Sequence, residues 1–408
     1  MLTPTTALSQ GSMHTSNRTR REAALTFISS RLLPLGYFVL LIGLSLLPDR
    51  NSYHKFFYLL IAIPTLTALA LSPATLTKLS KEPVIIAFMA FSAWALVSLS
   101  WSDTDSSTAS LLKRPIYIFM LFACCTLIAQ QSLKRLELTS LLAAISMLAV
   151  SVYSLIVFAN SWTPESRLIG PGALDNPLLS SHLFGFFLTI WLGLAITLPN
   201  QKLWLIAAPI VIATATLLAT GSRTPIVAIF LASSWLALCA WNKRSALLIS
   251  GGILGLLSLL IIYPESLLNR GSSYRLELWQ AALEKVSHTP WLGLGFDAHL
   301  AIKLDDIPYS FSEPHSFAIG VLYYTGIIGL SIWLAMHVAA LFHCWKQRDN
   351  ALFMIAGGLL IYGMGAGLTE GGGILMRPKE HWFLTWIPLA LIAALNISNR
   401  CATETKTQ

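Results

Sequence analysis

Apolar runs of helix length recur between residues 32 and 398 of this 408-residue chain, and no other feature limits its folding so strongly. Crossing about 30 Å of hydrocarbon takes about 20 apolar residues in a helix, whose backbone then satisfies its own hydrogen bonds. Twelve runs approach that length: 32–48, 56–72, 83–100, 111–130, 138–159, 178–198, 203–219, 223–241, 245–263, 315–343, 351–369 and 382–398. Charged residues make up only 11% of the chain, against about 25% in soluble domains. The predicted fold is an all-α polytopic membrane protein with about twelve transmembrane helices, forming one integral membrane domain over 1–408.

An even number of spans puts both termini on one side. Lys78, Lys81, Lys134, Arg135, Lys202, Lys243, Arg244, Lys346 and Arg348 fall in one set of short connections. With the arginines of the polar tail 1–31 and the basic residues of the tail 399–408, that side holds 15 of the 27 Lys and Arg residues. Short basic connections face the cytoplasm, so both termini are expected there. Trp101, Trp162 and Trp382 on one side, and Trp241 and Trp345 on the other, suit interfacial belts. No cleavable signal peptide is expected in the polar, basic start. Cys124, Cys125, Cys239, Cys344 and Cys401 fall within spans or on the inner side, so no disulfide is expected in the outer loops. The net charge of +8 is scattered between spans rather than striped along one face, which argues against nucleic acid as a partner.

The remaining basic residues face outward, against the usual bias. Arg167, Arg223 and Arg377 sit close to span ends, and Arg270 and Arg275 lie in the one long outer loop, 264–314. Within that loop "SYRLELWQAALEKVS" (273–287) reads as a helix, with Leu276, Trp279, Leu283 and Val286 on one face. It is expected to lie on the membrane surface with Arg275 near its start. "PWLGLGFD" (290–297) follows as a Pro/Gly loop.

Arg223, in "TGSRTP", stands between two spans with almost no loop. Alone it fits a snorkelling interfacial arginine. At the start of a helix it also fits an anion site, because free N–H groups and the helix dipole favour negative charge and the guanidinium forks onto phosphate. Arg275, Arg270 and Arg167 carry the same choice between solvated charge and anion ligand. His315, in "SEPHSF", is either an interfacial hydrogen-bonder or a general base for a hydroxyl. Gly326 and Gly329 would admit a closely packed helix. Asp103 with Asp105, and Asp305 with Asp306, offer oxygen ligands for a cation or are solvated acids. The Walker glycine–lysine loop, HExxH and GxSxG with triad partners are all missing.

His315-Ser316, nine residues, Gly326, two residues and Gly329 resemble the H-[N/S/Q]-x9-G-x-x-[G/T/Y] pattern of bacterial O-antigen ligases, in the O-antigen ligase/polymerase superfamily. "YRLELWQAALEKVSHTPWLGLGFD" resembles the block before that histidine, "GSRTP" resembles the family's arginine at the outer end of a span, and "WSDTDS" resembles a stretch without a metal role. The resemblance runs through the whole architecture. It implies an inverting, metal-independent glycosyltransferase of the GT-C type that uses no cofactor. The implied reaction moves O-antigen from undecaprenyl pyrophosphate onto a sugar hydroxyl of lipid A–core, at the periplasmic face of the bacterial inner membrane.

On that implication Arg223 and Arg275 bind the pyrophosphate, with Arg167 and Arg270 as further candidates, and no residue binds a metal. His315 takes the acceptor's proton, while Glu313, Glu380 and His381 stay open as alternative bases. The implied partners are the lipid-linked donor, the lipid A–core acceptor and membrane lipids. An O-antigen polymerase or a protein O-oligosaccharyltransferase would use the same donor; a second large outer loop or a longer C-terminal portion would favour those. A lipid-linked sugar transporter would carry polar breaks near the midplane, whereas the polar candidates here collect at the outer face.

Overall fold

The computed structural model describes residues 19–262, 274–303 and 310–407. In chain order its main helices are α1 (Thr19–Leu46), α2 (Arg50–Leu71), α3 (Pro83–Trp101), α4 (Thr108–Gln131), α5 (Leu133–Asn160), α6 (Pro177–Thr197), α7 (Trp204–Ala219), α8 (Thr224–Cys239), α9 (Lys243–Ile262), α10 (Arg275–Ser287), α11 (Phe317–Lys346), α12 (Ala351–Gly367) and α13 (Glu380–Thr403). Eight of these are long and apolar enough to cross a membrane, and α7, α8 and α12 are shorter apolar helices. All but α10 coincide with the twelve apolar runs. Among the described residues the only β pairing is an isolated antiparallel bridge between Ile302 and Phe311. The protein is an all-α polytopic membrane protein.

The first helix is already formed at Thr19, the first described residue, well inside the stretch read as a tail. Its polar turns are tied down from outside: Arg21 Nε donates to the Leu71 carbonyl at 2.7 Å, and Arg135 Nη1 donates to the Ser30 carbonyl at 2.9 Å. The most apolar windows of α6 and α13 are each 89% buried, so these two helices form the centre of the bundle. Those of α5 and α11 are 33% buried and present wide apolar faces outward, as lipid-facing helices do. Around the centre α8 packs on α12, α13 on α4, α11 on α3 and α1 on α5. Gly363 of α12 lets the Leu384 backbone of α13 approach, at a spot where any side chain would overlap it.

Two expectations need correcting. Gly326 does not receive a neighbouring helix. It breaks α11 at φ 65° and ψ −170°, and the Pro290–Gly295 loop lies across the gap. Ile327 N–H donates to Pro290 O (2.8 Å), Leu294 N–H to Tyr323 O (2.8 Å) and Gly295 N–H to Tyr324 O (3.0 Å). Trp94 of α3 donates its indole N–H to Thr325 O at 2.8 Å. Backbone groups released by the break are thus satisfied by the loop, the only circumstance in which irregular backbone is tolerated at a span.

Helix α10 is also turned differently from the expected face. Leu278, Ala282 and Val286 are buried, and the helix packs on α11, while Leu276 and Leu283 are 61% and 45% exposed. Arg275 sets this rotation, because its guanidinium must point inward and Leu278 and Ala282 share its face at helical spacing.

The backbone at Gly326 occupies a region open essentially to glycine alone, where another residue costs about 1–3 kcal/mol before any steric clash is counted. A Cβ there would overlap the Trp291 carbonyl in a backbone conformation that side chains avoid, whereas one at Gly329 would crowd the Thr325 side chain without that backbone cost. Gly326→Ala is therefore expected to lower the thermal midpoint in detergent well below that of Gly329→Ala. Equal midpoints would show that the break is not held by this residue.

Candidate active site

His315 enters the site through an unusual backbone. It has φ 49°, in the left-handed region, and Ser316 follows in an extended conformation. The Ser316 hydroxyl accepts from Ile319 N–H as the N-cap of α11, which fixes the start of the helix and the histidine just outside it. Phe311 stands edge-on to the imidazole with centroids 6.1 Å apart, and Phe311 is itself held by paired backbone bonds of 3.0 and 2.9 Å with Ile302. The His315 side chain is 35% exposed, so a substrate can reach it.

Behind it lies a residue that sequence reasoning passed over. Glu370, in the "TEGGG" turn after α12, is buried and presents Oε1 to His315 Nδ1 at 3.5 Å and Oε2 to Arg275 Nη2 at 3.5 Å. Arg275 opens α10 and donates Nε–H to the Thr369 carbonyl at 2.7 Å. The Thr369 hydroxyl pairs with that of Thr224 at 2.7 Å, and Thr224 follows Arg223, the N-cap residue of α8. One turn, 369–370, therefore gathers Arg275 and His315 directly and Arg223 through its neighbour. Burial by itself raises the Glu370 carboxyl, but the hydrogen bond from His315 and the nearby charges of His182, His315 and Arg275 outweigh it and hold the group below its usual 4.5. An acidic residue in a glycine-rich turn beside a span end was the available signal.

The other expected residues take different positions. Arg167 donates Nε–H to Thr220 O (2.7 Å) and Nη2–H to Ser222 Oγ (2.9 Å), bracing the turn that carries Arg223. Arg270, Asp305 and Asp306 lie outside the described residues. Asp103 and Asp105 dock a loop instead of converging on a common point: the Asp103 carbonyl accepts from His299 N–H at 2.9 Å, and the Asp105 carboxylate pairs with the His299 ring. Glu380 is buried against Arg50 at 3.1 Å, and His381 is buried behind Phe317, 5.5 Å between rings. His182, Glu370 and His381 bring one donor atom each within 4.8 Å of one another. That set is of a kind that metals accept, although the two Glu370 oxygens already face Arg275 and His315.

A cavity of about 490 Å³ opens beside this cluster. Ser312 and Glu313, just ahead of His315 in the chain, form part of its wall, together with Arg50, Arg114, Arg377 and Lys379. Arg114 pairs with Asp297 at 2.7 Å, and Arg50 with Asp175 and Glu380 at 3.0 and 3.1 Å. Glu313 is the one alternative base that faces this space. Arg50, Arg114 and Lys379 escaped notice in the sequence because only tertiary packing brings them to one wall.

The depressed Glu370 carboxyl stabilises the folded state above about pH 5, and that contribution is lost as the pH falls below the group's ordinary value toward its lowered one. Glu370→Gln is expected to melt earlier than wild type at neutral pH, by about 3 kcal/mol or more for a broken buried pair. Its midpoint should also fall less between pH 5 and pH 3, both read by thermal unfolding in detergent. A variant that acidifies in parallel with wild type would exclude this carboxylate as the source.

An O-antigen ligase family model matches residues 208–334, from α7 through the break in α11. An O-antigen ligase of Pseudomonas aeruginosa is 41% identical over 389 residues, covering 94% of this chain and 95% of that protein. With identity at that level over nearly the full length of both, the chain belongs to the O-antigen ligase family, multi-pass membrane transferases that act on glycans.

Proposed function

We propose that this protein transfers O-antigen from undecaprenyl pyrophosphate to a sugar hydroxyl of lipid A–core, with inversion and without a metal. The observation that carries this reading is the meeting of Arg275 and His315 on one buried carboxylate. A diphosphate leaving group needs fixed positive charge, and an attacking hydroxyl needs a base within reach of a bound acceptor. Arg275 and Arg223, gathered on the 369–370 turn, are the diphosphate ligands. Glu370 faces His315 Nδ1, keeps the proton on that nitrogen and leaves Nε2 to accept.

The reaction then runs in one displacement. His315 Nε2 takes the acceptor hydroxyl proton as the oxygen attacks the anomeric carbon from the face opposite the pyrophosphate. The anomeric C–O bond breaks, and its electrons leave with undecaprenyl pyrophosphate, whose growing charge is met by the arginines. The positioned base contributes about 10²–10⁴ in rate, and each pre-set charge partner about 10²–10³. The linkage is already activated, so no nucleotide is needed. The end of the bundle that carries His315 faces the periplasm, with the protein in the inner membrane and both termini in the cytoplasm, as the distribution of Lys and Arg supports.

Expression in a ligase-deficient strain that makes O-antigen tests this reading. Wild type is expected to restore the lipopolysaccharide ladder on a gel, and His315→Ala at equal membrane level is expected to lose it. Restoration of chain length in a polymerase-deficient strain, without any ladder in the ligase-deficient one, would transfer the reading to polymerisation. A full ladder from His315→Ala would move the base to Glu313.

A further inference from the structure

The cavity beside His315 is lined by four Lys and Arg side chains and by Asp105, Asp297 and Glu313, and the ion pairs of its wall do not engage all four cations. Arg114 is matched by Asp297, and Arg50 by Asp175 and Glu380. Asp105 is matched by His299. Two cations are left over on the 377–379 turn. Arg377 is exposed and makes only a long 3.4 Å contact with the Ser110 hydroxyl. Lys379 is half-buried, and its ammonium makes no hydrogen bond or ion pair among the described residues.

The turn between them is built rather than loose: His54 Nε2 donates to the Pro378 carbonyl at 2.9 Å, fixing the backbone midway. Neither Arg223, Arg275 nor Glu370 lines this cavity, so its charge is separate from the cluster behind His315. The Ser312–Glu313 wall places it next to the base, where an acceptor must sit. Its volume of about 490 Å³ falls in the range of about 300–1,000 Å³ usual for small-ligand sites.

We propose that this cavity is the acceptor site and that it recognises an anionic group, a phosphate ester or a carboxylate, on the acceptor saccharide through Arg377 and Lys379. This rests on the transfer reaction proposed above and adds the chemical class of acceptor. Arg377 supplies a planar fork and Lys379 a point charge, a pairing suited to an oxyanion. Burial holds the Lys379 ammonium below its usual range, against the pull of Glu313 and Glu380. An arriving anion would give Arg377 and Lys379 the direct ion-pair partner that neither has among the described residues.

Steady-state transfer by the purified full-length protein tests this. Undecaprenyl-pyrophosphate glycan serves as donor, and core–lipid A is offered intact, stripped of phosphate esters, or with its carboxylates reduced. Arg377→Gln and Lys379→Met are each expected to raise the acceptor KM about tenfold or more, as the loss of a charged hydrogen bond implies, while the donor KM keeps its wild-type value. Arg377→Lys and Lys379→Arg should recover most of the loss. One of the two chemical treatments should raise the wild-type KM equally and add little to either variant. An unchanged acceptor KM, a rise in the donor KM instead, or a wild type indifferent to both treatments would overturn the proposal. A wild type that cannot use core–lipid A at all, yet transfers to a lipid-linked glycan, would instead defeat the underlying reaction, whatever the variants do.

Discussion

A single buried carboxylate organises the candidate site. Glu370 sits behind the exposed face of His315 with one oxygen toward that ring and the other toward Arg275. A buried carboxylate is tolerated only when its charge is met, and here the two groups that meet it come from α10 and from the turn before α11. Three segments distant in sequence are thereby locked to one another, and removing Arg275 would leave the buried carboxylate without its guanidinium partner. The same turn holds the start of α8 through Thr369 and Thr224. The backbone at Arg223 is thus tied to the turn that meets His315.

The second constraint is mechanical. Interrupting α11 at Gly326 exposes backbone groups that lipid cannot satisfy, and the Pro290–Gly295 loop supplies their partners. That loop continues into Phe296 and Asp297, which are tied to Ser102, Thr104 and Arg114 by bonds of 2.8, 3.1 and 2.7 Å. The break in the helix therefore docks the outer loop onto α3 and α4. It holds the loop over the cavity beside His315, and the wall of that cavity inherits the rigidity of the spans below it. The site combines the precision of helix termini with the reach of a loop.

Charge is divided between two places at this end of the bundle. Arg275 meets Glu370 behind His315, with Arg223 at the adjoining N-cap of α8, while Arg377 and Lys379 stand on the wall of the open cavity beside it. On the proposed reading His315 is a base between two separate positive sites, one for the leaving group and one for the attacking sugar.

Composition and hydrophobic period alone determined the all-α membrane fold, because only helices and closed β-barrels satisfy their own hydrogen bonds in hydrocarbon, and uninterrupted apolar runs of this length suit helices rather than alternating barrel strands. They also located the helices, although α1, α2, α5 and α13 extend beyond their apolar runs by polar turns, those of α1 held by contacts with Leu71 and Arg135. The unusual placement of basic residues marked Arg223, Arg275 and Arg377, and the spacing from His315 to Gly329 marked the family. Tertiary structure alone decided which of these meet. Glu370 reads in sequence as an ordinary acid in a glycine turn, Arg167 as an equal of Arg223, and Gly326 as a packing glycine. Their actual roles depend on groups contributed by segments tens of residues away in the chain, and a one-dimensional pattern of polar and apolar residues does not record such long-range partners.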